Sequence, residues 1–593
     1  MIMIERTAIL HVPKSNFAYA QDQDNLHIIL KAKHNDLKKV TLFYSDPFDF
    51  NDGLNFKTVI MEKSGETSLF DYYKITIAPK DKRATYFFEI EGTSGDKVFY
   101  TEKGFFEIDK KTTLLKGGYG FTFPWMNPID IQNTPSWIKD TVWYQIFPER
   151  FANGDPSLNR KDVLPWGQVD PTPNNFFGGD LQGIIDHLDH LQDLGVNGLY
   201  LCPIFKAYTN HKYDTIDYFE IDPDFGDKAK FKELVDKCHK LGIKVMLDAV
   251  FNHIGYRSPI WQDVVKNQQN SKYKDWFFIK KFPVETMDAG GVENSVKELS
   301  YYTFAYTGYM PKFNTANPAA KEYLLSVASY WVEEFNIDAW RLDVANEVDH
   351  EFWRAFRKTV NQKQPTYILG EIWTEANAWL KGDQFDGVMN YFLTSAINDF
   401  IAKQTISAAE FQNRVVDAMH TYPDNVQVGM FNCLDSHDTA RLLTTCGENI
   451  DKFLLAYSFL FTCTGAPSIY YGDEIGMNGE NDPWCRKCME WVQGKWNQKI
   501  FKYFKNLIQV RQQHPVLGSY GTFAFVSIDV KTNVVVYKKY DENNEYIIYM
   551  NNSEKVNSVK GSFKNQIDLI SNVKEDGTEI SLEPFGIKIF KTK

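Results

Sequence analysis

Eight short apolar runs alternate with amphipathic stretches between residues 142 and 474, and no other feature constrains the fold as tightly. The runs are VWYQIFP (142–148), GLYLCPI (198–204), KVMLDAV (244–250), AWRLDV (339–344), YILGEI (367–372), GVMNY (387–391), VGMFNCLD (428–435) and SIYYGDE (468–474). Strands this apolar are buried on both faces, as in a parallel sheet covered by helices. The segments between them read as helices. KAKFKELVDKCHKLG, for example, puts Phe231, Leu234, Val235 and Cys238 on one face. Eight such units predict a closed (β/α)8 TIM barrel. One connection, about seventy residues from Asp248 to Pro318, is too long for a plain loop and predicts an inserted lid subdomain over 254–312.

A chain of 593 residues exceeds one core. Residues 1–125 carry short alternating runs (LHIILKAK, KVTLFYSDPF, YYKITIAP, ATYFFEIEG, KVFYTEKGFFEI) that predict an N-terminal antiparallel β-sandwich. GYGFTFPWMNPIDIQNTPSW, rich in Gly and Pro, reads as a linker. The barrel then occupies 126–512, and a second β-sandwich over 513–593 follows a helix ending near Arg511. The fold class is multidomain, a central barrel flanked by two antiparallel β-domains.

The formal charge of −12, with lysines interleaved among acids, excludes the basic stripe of a nucleic-acid binder and argues against an anionic membrane surface. No run approaches the roughly 20 apolar residues that span a bilayer. The first residues carry early charge and lack a signal-type apolar stretch. Seven cysteines at this length argue against a disulfide framework, and the lone pair Cys485/Cys488 lacks the second pair a zinc site needs. A cytoplasmic protein with reduced thiols is expected.

Three carboxylates follow strand-like runs: Asp343 in WRLDVANE, Glu371 in YILGEIW and Asp438 in LDSHDTAR. Catalytic groups of such barrels sit where strands hand over to loops. Two opposed carboxylates can serve as nucleophile and general acid on a glycosidic bond, and a third can help distort the sugar. Arg341, two residues before Asp343, points to the same side of a strand and would keep that carboxylate ionised. Asp248 in DAVFNH could fix Arg341 by a charge-assisted pair. His253 and His437 could bond sugar hydroxyls. Taken singly, each of these reads equally well as a loop residue or a structural ion pair.

Together these segments, with GVNGLYLCPIF, HKYDTIDY and GAPSIYYGDE, resemble the α-amylase family, glycoside hydrolase family 13, over essentially the whole chain. The resemblance implies that Asp343 is the nucleophile, Glu371 the acid/base and Asp438 the third carboxylate. It assigns sugar contacts to His253, Arg341 and His437, and a stacking role to Tyr213. Trp373 beside the acid joins the substrate-binding set. MPKFN (310–314) and the N-terminal β-domain are similar to the neopullulanase, cyclomaltodextrinase and maltogenic amylase group. There the N-terminal domain is of a carbohydrate-binding-module class and often mediates dimerisation, with one subunit's N-terminal domain walling the other's cleft, so a homodimer is implied. In that group Glu347 is associated with acceptor subsites and transglycosylation. Departures include Phe313, Ala339, Asp435 and Ala440, none of which removes a catalytic group.

The implied reaction is double displacement with retention on α-1,4-glucosidic bonds of cyclodextrins, pullulan, starch and maltooligosaccharides, and needs no cofactor. The resemblance also implies a structural calcium held by Asn153, Asp155, Asn159, the Gly178 carbonyl and Asp180, with Leu158 standing where relatives have an oxygen donor. Two other readings compete. One is a metal-dependent barrel hydrolase with Asp248, His253, His437 and Asp438 as ligands. The other is a non-catalytic sugar-binding relative, which would be expected to lack one of the three acids.

Overall fold

The structure, a computed structural model, describes residues 3–49, 54–286 and 298–593. Part of the expected lid, 287–297, lies outside the described residues. Every one of the eight expected runs carries a strand: β1 (Trp143–Ile146), β2 (Gly198–Leu201), β3 (Lys244–Ala249), β4 (Ala339–Leu342), β5 (Tyr367–Gly370), β6 (Gly387–Val388), β7 (Phe431–Asn432) and β8 (Ala466–Tyr470). They pair in parallel in the order β6-β5-β4-β3-β2-β1-β8-β7. A parallel bridge between Met389 and Phe431 joins β6 to β7 and closes the barrel.

Strand periodicity sorts the side chains. Trp143, Tyr200, Met246, Ala339, Tyr367, Leu369, Met389, Phe431 and Ala466 fill the barrel interior as one cluster. Their alternating neighbours, such as Tyr144, Leu199, Val245 and Trp340, face outward into the larger core beneath the helices. The helix Lys228–Lys240 buries Phe231, Leu234, Val235 and Cys238, the face expected from its spacing. Register does the rest of the positioning. Asp248 on β3 lies opposite Arg341 on β4, and Leu342 opposite Gly370, so Asp343 and Glu371 leave adjacent strand ends side by side.

The N-terminal domain comprises a four-stranded and a six-stranded antiparallel sheet. The segment read as a linker begins with a further strand, Phe121–Phe123, which pairs with Ala84–Gly92; its alternating Phe121 and Phe123 are buried. After the barrel, four antiparallel strands from Thr522–Asp529 to Ile587–Lys591 form the C-terminal sheet, and the antiparallel pair Asn557–Lys560 and Glu579–Leu582 shares its core. All seven cysteines are free, and six are buried. Among the described residues no helix is long and apolar enough to cross a membrane.

The N-terminal domain docks on the barrel helix Ala408–Thr421 and the turn after it. The Tyr72 hydroxyl donates to Asp417 at 2.9 Å, and its ring stacks on His420 at 4.1 Å. Lys74 pairs with Asp424, beside His27. Burial holds both His27 and His420 down to about 4. Unfolded histidine titrates near 6.5, so these two bind fewer protons docked than exposed. Their contribution is complete above about pH 6.5 and erodes as pH falls toward about 4. Limited proteolysis of the 124–137 segment is expected to accelerate over that window. His420→Phe, which keeps the stacking but cannot titrate, should move the onset lower. Cleavage that does not change with pH would contradict this account.

Candidate active site

Arg341 organises the C-terminal mouth of the barrel. Its side chain is fully buried, and Nη1 donates to both oxygens of Asp248 at 3.0 and 3.1 Å and to Asp343 Oδ1 at 2.8 Å. Nη2 lies 2.9 Å from Glu371 Oε1, a close ion contact without the alignment of a hydrogen bond. Three carboxylates from the ends of β3, β4 and β5 thus converge on one guanidinium. Asp248 is further held by the hydroxyls of Tyr200 at 2.7 Å and Tyr213 at 2.9 Å.

The expected electrostatics need one correction. Arg341 does pull Asp343 toward ionisation, but burial outweighs it, and Glu371 and Asp248 add repulsion. Asp343 therefore sits well above the ordinary carboxylate range. The two carboxylates differ in their donors. Asp343 receives an aligned donor from Arg341, whereas Glu371 Oε1 faces the Trp373 indole N–H at 3.3 Å.

On the opposite wall, Gln145 from β1 donates to His437 Nδ1 at 2.8 Å, leaving His437 Nε2 to face the Tyr213 hydroxyl at 2.7 Å. Burial, with Arg486 and Arg341 nearby, keeps His437 neutral. Tyr213 stacks parallel to the His437 ring, 5.4 Å between centroids. Asp438 is braced by Arg486 at 3.4 Å, and Arg486 also pairs with Asp482 at 3.0 Å. His253 is bonded to the Tyr213 carbonyl at 3.1 Å, stacks on Phe304, and burial depresses it to about 3.

These groups surround an open cleft of about 500 Å³. Tyr213, His253, Asp343, Glu347, Glu371, Trp373 and Asp438 line it, with Arg341 and His437 bonded just beneath. Trp373 is 49% exposed and lies flat on Tyr391, 3.7 Å between centroids, offering its other face to the cleft. The insertion supplies Phe304 and Met310. Its MPKFN segment is tied down because Lys312 bonds Asn252, and both the carbonyl and the carboxylate of Glu347, at 3.0 and 3.1 Å. Phe313 is buried against Phe277, so the departure from Leu fills a core position.

The residues of the metal-hydrolase reading do not form a ligand set. Asp248 is engaged by Arg341 and two tyrosines. Among the described residues, the only group of three such ligand atoms within 4.8 Å is His34, Glu66 and Asp71, in the N-terminal domain. The loop assigned to calcium is gathered separately. Asn153 donates to Asn159 Oδ1 at 3.0 Å, and Gly178 is so close to both that a Cβ would meet Asn159 Oδ1 at 2.4 Å. Asn153 Oδ1 is buried without a donor, as a cation ligand would be. Asp180, however, already accepts from the amides of Gly154, Asp155 and Gly183, and Asp155 from Ser157.

Sequence reasoning misses Val344. This β-branched residue adopts a left-handed conformation, φ 46° and ψ 44°, which costs about 1–3 kcal/mol. That turn aims its N–H at Glu371 Oε2, at 2.9 Å, and the next amide at the Glu371 carbonyl, at 3.2 Å. Strain at the end of β4 thus holds Glu371 at the end of β5. Val344→Gly, which accepts this conformation freely, should keep activity within about threefold. Val344→Pro, lacking the N–H and fixed at negative φ, should lower kcat by at least about 100-fold. Kinetics alongside circular dichroism would check both; an active Val344→Pro would refute the positioning role.

The residues 145–520 match the sequence family described as alpha amylase, catalytic domain, and 3–127 match the alpha amylase N-terminal ig-like domain. Residues 533–592 match a beta-galactosidase C-terminal domain. A cyclomaltodextrinase of Geobacillus thermopakistaniensis is 51% identical, covering 93% of this chain and 92% of its own. An intracellular maltogenic amylase of Bacillus subtilis strain 168 is 46% identical over 94% of this chain and 92% of its own. A solved structure titled cyclomaltodextrinase superposes with a TM-score of 0.91 at 43% identity, covering 99% of this chain and all of that one. With matches of this extent at both domains, and its three acids at the barrel mouth, the chain belongs to the α-amylase family, glycoside hydrolase family 13.

Proposed function

We propose that this protein is a retaining α-glucan hydrolase of the cyclomaltodextrinase, maltogenic amylase and neopullulanase type, acting on α-1,4-glucosidic bonds. The observation that carries the reading is Arg341, whose two terminal nitrogens meet Asp343 and Glu371 at 2.8 and 2.9 Å. Glu371 protonates the leaving oxygen while Asp343 attacks C1. The glycosyl–Asp343 ester is then opened by water, or by a second sugar, which gives its proton to Glu371. Nucleophile and acid in such a mechanism stand about 5–5.5 Å apart. Asp438, with His437, engages hydroxyls of the reacting sugar, and Tyr213 lies beneath its ring. Trp373 and Glu347 serve the acceptor side, where a sugar in place of water gives transglycosylation.

The relatives' names support cyclodextrins, pullulan, starch and maltooligosaccharides as substrates. A homodimer fits the exposed aromatic rim of Tyr208, Tyr302, Trp373 and Trp484, which a partner would cover. A cytoplasmic location accords with the seven free thiols and with the relative named intracellular.

Asp343→Asn and Glu371→Gln should each lose at least about 10³-fold in kcat while retaining the fold. Proton NMR of the wild-type reaction should show the α-anomer released first; a β-anomer would overturn retention.

A calcium ion at the Asn153 loop would be held by Asn153, Asp155, Asn159, the Gly178 carbonyl and Asp180. It would crosslink that loop and take no part in the chemistry. With Leu158 supplying no oxygen and Asp180 engaged by amides, binding in the range of about 10⁻⁴–10⁻³ M is expected. Millimolar calcium should raise the thermal midpoint and a chelator should leave kcat unchanged. A chelator that abolished turnover would contradict this.

A further inference from the structure

The loop after β7 carries His437 and Asp438, and it closes on itself at the base. The Leu442 N–H donates to Asp435 Oδ2 at 2.7 Å, so the two functional side chains sit on the arc between residues 435 and 442. Within the arc the Ser436 N–H donates to Thr439 Oγ1 at 3.1 Å, and the Asp438 N–H to Ser436 Oγ at 3.2 Å. Asp435 thus ties the start of the loop to its end. It stands among the departures from the family pattern, so this tie is a feature of this chain.

The carboxyl that makes the tie is only 4% exposed, and among the described residues it forms no ion pair. Arg441 directs its Nη1 to Asp473 at 3.0 Å and to the Tyr471 carbonyl at 2.8 Å. Asp473 also accepts from the Tyr457 hydroxyl. Asp435 Oδ1 is buried without a donor, and the Asp435 and Asp473 carboxyls lie within hydrogen-bonding reach of one another. Two carboxylates cannot bond each other, whereas a carboxylic acid and a carboxylate can, through one proton. We propose that Asp435 is a positioning residue for the reaction: protonated, it bonds Asp473 and clasps the loop that presents His437 and Asp438, and its ionisation opens that loop.

The groups facing Asp435 are Asp473 after β8, Arg441 on the loop itself, Tyr457 on the helix Ile450–Phe461, Cys446 and Cys433. Burial pushes both thiols up to about 12 and the Tyr457 hydroxyl well above its ordinary value, so all three stay neutral. Burial also raises Asp435 above the ordinary carboxylate range, against the pull of Arg441. It raises Asp473 well above that range, and the charge of Asp435 adds to the effect. An acid raised in this way holds its proton more tightly with the loop closed than open. Closure is therefore complete below the ordinary carboxyl value of about 4 and declines as pH rises from there toward the raised value. Ionising both acids leaves two buried negative charges to one guanidinium, and the base of the loop gives way. The clasp rests on the contacts above, and its effect on turnover rests on the function proposed for the cleft.

The test compares the full-length wild type, Asp435→Asn and Asp435→Ala with maltotriose as substrate, across about pH 5–8. Asparagine donates an N–H to Asp473 and accepts from the Leu442 N–H, as the protonated acid does, but it cannot titrate. Asp435→Ala, which has no clasp, should lose about tenfold in kcat at the acid end, and Asp435→Asn should restore it. At the alkaline end Asp435→Asn should exceed the wild type by about tenfold. Glu371 is common to all three enzymes, so the differences between them isolate Asp435. Hydrogen exchange of the 434–443 peptide, read without substrate, should climb more steeply with pH in the wild type than in Asp435→Asn. Superimposable kcat profiles for those two enzymes would overturn the positioning role, whatever the exchange shows. The expected exchange difference, with no turnover by any of the three, would support the clasp and count against the hydrolase reading. Should Asp435→Ala fail to fold, the wild type and Asp435→Asn decide the matter alone.

Discussion

A guanidinium with no exposed surface is the interaction on which the site depends. Removing Arg341 from water costs several kcal/mol, and that cost is met only if anions surround it. The barrel meets it by register: β3 brings Asp248 alongside, and β4 and β5 deliver Asp343 and Glu371 from consecutive strand ends. Two tyrosines then fix Asp248, and one of them, Tyr213, passes the constraint across the cleft to His437. Loss of Asp248 would leave a buried cation under-compensated and loosen the guanidinium that Asp343 and Glu371 share. A buried ion network of this kind contributes geometry more than net stability.

Much of this arrangement is legible in the amino-acid sequence, for a physical reason. A parallel strand buried on both faces must be apolar for its whole length, so its end is visible as the first acid after the run. Asp343 and Glu371 stand out that way, and all eight strands with them, whereas Asp438 comes second after its run, behind Asp435. Arg341 and Asp343 are readable as neighbours because residues two apart share a strand face. What the sequence does not disclose is set by tertiary approach. Nothing in DVANE marks Val344 as left-handed, since valine ordinarily avoids that region. Gln145 reads as one polar residue in an apolar run, and only the arrival of His437 from the loop after β7 gives it a partner. Arg486 sits between Cys485 and Cys488, and nothing in CRKC marks it as the residue that braces Asp438. The linker reading fails at its start because Phe121 and Phe123 alternate over too few residues to outweigh the flanking glycine and proline.

The insertion, whose longest regular element is the helix Pro259–Asn267, shows how a largely irregular segment can still be specific. Its return strand meets the barrel at one antiparallel bridge, His253 to Lys312, beside the β3 exit. From there Lys312 spans to Glu347 on the β4 loop, so one ammonium joins insertion, β3 loop and β4 loop. Burial depresses Lys312, and Glu347 is the charge that keeps it in place. Phe313 anchors the same turn through the core while Phe304 and Met310 reach the cleft. Apolar anchors set where the insertion lies, and the Lys312–Glu347 ion pair holds Glu347 at the cleft.

The strain at Val344 and the crowding of acids around Arg341 have a common consequence. Both raise the energy of the site relative to a relaxed loop, and both are tolerated because the barrel strands over-determine the backbone on either side. In the mechanism proposed above, leaving-group departure takes the proton from Glu371 just as Asp343 gives up its charge to a bond with carbon. Net charge in the cluster is therefore unchanged, and one negative charge moves from Asp343 to Glu371. Arg341 touches both carboxylates, and the Val344 amide already points at the Glu371 oxygen that gains charge. The charge thus arrives where donors are fixed in advance, and no group has to turn to receive it. Donors placed where charge develops act most strongly in the transition state, which is the condition for raising kcat and not merely tightening binding.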